Sequence, residues 1–190
     1  MGCDIHMYVE YAYKQKIPLD GDETPIKLEK VHWHSLCDRM NPGRDYTMFS
    51  LLSDGVRGSY ELSFPAKGLP PKDELGWSSN GDAFLYICDK EDENDIEDNE
   101  CTLENALRWT QGGHRNIYND ANGNPRWVDH PDWHSHSWLT TEEYAQVLDN
   151  YSEVSIWGGE VGLVYSVILS MMRSIESRGA EARLVFWFDN

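Results

Sequence analysis

The stretch 160–177, EVGLVYSVILSMMRSIES, leaves this 190-residue chain few architectures. Val161, Val164, Ile168, Met171 and Ile175 recur at helical spacing, and Leu163, Val167 and Leu169 widen the apolar stripe. A helix apolar on most sides is expected to be buried on most sides. Gly179 fits its C-terminal cap. The chain then closes with ARLVFWFDN, a strand rich in aromatic and aliphatic residues. At the other end, residues 5–14 alternate after Asp4. Ile5, Met7, Val9, Tyr11 and Tyr13 share one strand face, and His6, Tyr8, Glu10 and Ala12 share the other. The odd face and the helix stripe each need an apolar partner, so the first and last strands are predicted to share a sheet that carries the helix. The expected class is α+β: one domain over 1–190, a mostly antiparallel sheet, and a long buried helix before the last strand.

Between these ends the signals are local. Residues 26–34 read as a second strand antiparallel to the first. The span 45–54, with Tyr46, Phe49 and Leu52 in step, reads as a short helix ending at Gly55. Frequent Gly and Pro make 58–81 a long irregular connection. AFLYIC at 83–88 is a short apolar run, followed by the acidic stretch 89–100, read as a solvated loop rather than a calcium site because it lacks the ligand spacing and glycine of an EF-hand. Thr102 can cap a helix over 103–110. Asn122-Gly123-Asn124-Pro125 marks a hairpin turn. Thr140-x-x-Glu143 is a capping box that opens a further helix through about Leu148.

Charge narrows the function. Sixteen Lys and Arg against thirty-three Asp and Glu give a net charge of −17. Such a field repels duplex nucleic acid and anionic membranes, though not a small anion in a local basic pocket. No run approaches a membrane span. Residues 1–4 show no secretion signal, and the four cysteines have no CxxC pair, so reduced thiols in a cytoplasm are expected.

Two clusters carry candidate chemistry: Asp4-x-His6 at the head of the first strand, and His134-Ser135-His136-Ser137 before the capped helix. In extended chain, residues two apart point the same way, so each pair can act together. Asp4, His6, His134 and His136 could ligate a divalent metal such as Zn or Mn, or act directly as acid and base. The alternative is polar residues that pin loops. Arg44 and Arg57 are candidate phosphate ligands in a chain with few cations, unless they pair with Asp45 or Asp54. Trp138, beside the histidines, could stack on a nucleobase. The order Asp4-Ile5-His6, Gly81-Asp82, Gly113-His114, His134-Ser135-His136 imitates the calcineurin-like phosphoesterases. In that family, however, the first motif ends a strand; here the strand follows Asp4, and Gly113 replaces an Asn.

The segments MGCDIHMYVEY, GRDYTMFSLL with GVRG, KGLP, HSHSWLTTEEY and LVFWFDN together resemble a family of small bacteriophage proteins that open with MGCDIH and end near FWFDN. That resemblance implies a phage origin, expression in a bacterial cytoplasm and a role against host defence. It supplies no catalytic assignments. The expected function is action on a small nucleotide signal, as a metal-dependent or histidine-based phosphodiesterase. The alternatives are a sponge that sequesters the nucleotide and a protein that inhibits a host factor. A homo-oligomer is compatible with all three.

Overall fold

The computed structural model describes residues 2–16, 26–27, 31–53, 56, 60–90, 95–154 and 160–189, with backbone only at 15–16 and 26–27. The chain is α+β, and its sheets are mostly antiparallel. It forms two compact units, one from Met1–Ser78 with His134–Asn190 and the other from Ser79–Trp133.

The first unit is built on β1 (Ile5–Ala12) and β10 (Glu181–Phe188), paired antiparallel along their whole length from Ile5 opposite Phe188 to Ala12 opposite Glu181. β4 (His34–Ser35) joins the outer side of β1, and β9 (His134–Thr140) that of β10, giving the order β4-β1-β10-β9. The alternation read from residues 5–13 decides what each face does. Ile5, Met7 and Val9 form one core cluster with Leu184, Phe186 and Phe188 of β10. Three helices complete that cluster: α1 (Tyr46–Leu52), α4 (Thr141–Val154) and α5 (Leu163–Glu176). The shared sheet and the helix against it are as expected. α5 buries Tyr165, Ile168, Leu169 and Met172, but Leu163 is 78% and Val167 41% exposed. A helix lying on one sheet covers one face, so Leu163 and Val167 stay outside, while Leu169 of the same widening is buried.

The opposite face of β1 is polar and still buried. Glu10 is fully buried, and Arg183 across the ladder donates to it from Nε at 2.8 Å. Arg183 also donates to the Glu74 carbonyl, Gly76 N–H donates to Glu10 at 2.8 Å, and Trp33 lies 3.9 Å from the guanidinium. These extra bonds offset the desolvation that makes a buried pair costly.

The capping box forms as read: Thr140 N–H donates to Glu143 and Glu143 N–H donates to Thr140 Oγ1, at 2.9 and 3.3 Å. Residues 26–34 are not one strand. Ile26–Lys27 (β3) pairs with Gln15–Lys16 (β2), residues 31–33 are not in a strand, and His34–Ser35 alone pairs with β1. Residues 28–30 lie outside the described residues, as does Gly55.

The second unit is a four-stranded sheet, β6-β5-β8-β7, from Phe84–Cys88 (β5), Glu100–Thr102 (β6), Ile117–Asn119 (β7) and Pro125–Asp129 (β8). β5 and β6 run parallel and the other pairs antiparallel. α3 (Leu103–Thr110) is capped by Thr102, whose Oγ1 accepts from Asn105 N–H. It closes a core of Leu85, Ile87, Cys101, Ala106 and Val128. The acidic stretch joins β5 to β6, with residues 91–94 outside the described ones. The irregular connection before β5 ends in a short helix, α2 (Trp77–Ala83), which the sequence did not announce.

Candidate functional site

The β1–β10 register brings the two clusters to one end of the main sheet. Asp4 precedes β1 and Asp189 follows β10, so the ladder sets them opposite each other. Asp189 N–H donates to the Asp4 carbonyl at 3.1 Å, and Asp4 N–H donates to Asp189 Oδ1 at 2.7 Å. Asp189 Oδ2 lies 3.2 Å from His6 Nε2. On the other side of that ring, Arg39 Nη1 is 3.1 Å from His6 Nδ1. A guanidinium can only donate. Nδ1 therefore accepts, and the ring proton sits on Nε2, directed at the Asp189 carboxylate.

Arg44 binds Asp4 with both prongs of its fork, Nε to Oδ1 at 2.6 Å and Nη2 to Oδ2 at 2.9 Å. The hydrogen bond from Arg44 holds the Asp4 carboxyl below the usual aspartate range. Gly2 explains how the guanidinium reaches there: a Cβ at that position would collide with it. The turn at Asn41–Gly43 and the Asp45 cap of α1, which accepts from Met48 N–H, fix the backbone on either side of Arg44. The pairing anticipated with Asp45 or Asp54 is made with Asp4 instead.

The histidines of β9 behave differently from an extended chain. Ser137 pairs with Phe186 and His134 with Phe188, so Ser135 and His136 together face Trp187. This is a β-bulge, and Ser135 takes a left-handed φ of 52° to make it. One extra residue reverses the alternation, so His134 and His136 do not point the same way. His134 stands with Phe188, and its Nε2 lies 3.3 Å from the Asp189 carbonyl. His136 lies on the other side, its ring 5.7 Å from Trp187. His6 approaches the same indole at 6.0 Å, and Tyr8 stacks on it at 4.9 Å. The indole N–H of Trp187 is buried and meets no acceptor among the described residues.

Asp4, His6, His134 and Arg44 are thus gathered around Asp189, and His136 joins them through Trp187. Trp138 shares the His136 face but lies under Lys67, whose ammonium is 4.0 Å from its ring. Arg57 lies outside the described residues. Among those residues no three His, Cys, Asp or Glu side chains converge as a metal ion requires. The lone pairs of Asp4 and His6 go instead to guanidinium N–H groups. A groove of about 330 Å³ lies toward the far end of β1, beside Tyr11, Tyr13, Met171 and Ile175. Two site residues escaped the sequence reading. Asp189 was visible only as the tail of a strand, and Arg39 has no spacing that marks it. No protein-family model, curated protein or solved structure matches this chain.

Proposed function

We propose that this protein binds a small phosphorylated nucleotide at the Asp189 end of its main sheet and hydrolyses a phosphoester of it. The observation that supports this most is that Arg39, Arg44, His6 and His134 all lie at the Asp4–Asp189 end of the main sheet, His6 on its Trp187 face and His134 on its Phe188 face, in a chain of net charge −17. Arg44 is half-exposed, and its Nη1 takes no part in the Asp4 pair. It can meet a phosphate while Asp4 keeps it in place. His6, buried and bonded at both ring nitrogens, is a positioning residue that holds Arg39 and Asp189 at this end of the sheet. Following the phage resemblance, the ligand would be a signal of a bacterial host's defence, met in the cytoplasm.

Incubation with a panel of cyclic mono- and dinucleotides, with and without Mn²⁺ or Zn²⁺, tests this by chromatography of the products. Cleavage of one member, lost in His6→Ala and Arg44→Ala, is the expected result. A nucleotide that binds and is released intact on denaturation would leave a sponge and remove the hydrolase. No binding and no product across the panel would overturn the reading altogether.

A further inference from the structure

The bulge of β9 does more than separate two histidines. Ser135 Oγ lies 3.0 Å from His134 Nδ1, and the Asp189 carbonyl lies 3.3 Å from the Nε2 of the same ring. A carbonyl oxygen can only accept, so Nε2 carries the proton of the neutral ring and Nδ1 is left as the acceptor. Ser135 O–H then donates to it. This is a hydroxyl on a base whose tautomer is held by a third group, the arrangement that activates serine nucleophiles. Other serines in the chain do something plainer: Ser50, Ser152 and Ser170 return their hydroxyls to carbonyls three or four residues earlier in their own helices. Among the described residues Ser135 is also the non-glycine residue at a positive φ, a strained conformation that concentrates at functional sites. Neither Ser135 nor His134 is buried away from solvent; both are half-buried.

We infer that Ser135 is a nucleophile, with His134 as its base and the Asp189 carbonyl as the group that orients the base. Its substrate class, a nucleotide phosphoester, is taken from the hydrolase reading above. In the first step Ser135 Oγ attacks phosphorus and its proton passes to His134 Nδ1. The bond from phosphorus to the leaving oxygen breaks, that oxygen keeps the electron pair, and it takes the proton back from His134. In the second step water attacks the phosphoserine, gives a proton to His134, and Oγ departs and recovers it. No oxidant, reductant or further reactant is needed.

A fluorophosphonate probe reads the nucleophile without any nucleotide, because Oγ displaces fluoride and leaves a stable adduct. Intact mass and peptide mapping of the full chain should show one adduct, on Ser135. His134→Gln should slow labelling by about 100-fold or more, the usual contribution of a general base. Ser135→Ala and Ser135→Gly should not label, and Ser135→Gly keeps the bulge conformation if Ser135→Ala does not fold. No adduct at Ser135 in folded wild-type protein would overturn the assignment, as would labelling that His134→Gln leaves unchanged. Nucleotide turnover without labelling would remove the serine and keep the hydrolase. Labelling without nucleotide turnover would keep the serine and send the search to another ester.

Discussion

Arg183 and Arg44 both pair with a carboxylate on the first strand or just before it, yet they serve opposite ends. Arg183 and Glu10 are sealed in the sheet, with side chains 5% and 0% exposed. Arg183→Met should leave Glu10 charged and buried, and cost about 3–5 kcal/mol in urea denaturation. Arg44 and Asp4 stand half in water, where ion pairs contribute little. Arg44→Ala should leave the urea midpoint where it is and lower affinity for phosphate. If the midpoint falls as it does for Arg183→Met, Arg44 is a structural anchor and not a ligand. Ser135→Gly offers a third contrast. It removes a left-handed cost of about 1 kcal/mol and loses a hydrogen bond of similar size. The variant should melt no lower than wild type, while one that loses activity through damage to the fold would melt lower.

Helix caps and turns were legible because their chemistry is local. Thr140 and Glu143 announce α4 through two side chains three residues apart, and Thr102 announces α3 as a single side-chain cap. Thr140→Ala should cost about 1 kcal/mol. Glu143 adds a pH dependence: burial pushes its carboxyl up, but the Lys67 hydrogen bond and the Thr140 N–H bring it below the ordinary glutamate value. The stability it lends is complete above the unfolded value and is lost as pH falls through the lowered one. The melting-temperature gap between wild type and Glu143→Gln should therefore close on acidification from about pH 6 to pH 3. A gap that widens in acid would contradict this sign. Gly179, at φ 82° after α5, was legible as a terminator, and Gly179→Ala should cost about 1 kcal/mol. What stayed hidden depends on pairing. The β9 bulge is a property of register with β10, so HSHS read alone gave two histidines on one side. Asp189 meets Asp4 only because 184 residues of chain bring the strands together. WSSNGDA, the α2 segment, has no apolar period to read.

At the scale of the whole molecule the two units differ in what holds them. The first has one core shared by a four-stranded sheet and three helices; among the described residues the second has a smaller apolar cluster, Leu85, Ile87, Cys101, Ala106 and Val128. Small cores bury a smaller share of their surface and are marginal. Amide exchange should therefore be faster in residues 84–88 and 125–129 than in 5–12 and 181–188. Equal protection in all four strands would mean that the units melt as one. The central ladder also has a history in time. β10 leaves the ribosome long after its hydrogen-bonding partner β1. Residues 79–133, continuous in sequence, can close on themselves while synthesis continues. The segment MGCDIHMYVEYA must wait, one edge unsatisfied and its apolar face uncovered, until residue 188 has emerged. Loop closure over such a distance is slow. The site around Asp189 thus cannot exist before that ladder closes, and it forms in the same event that makes the first unit whole.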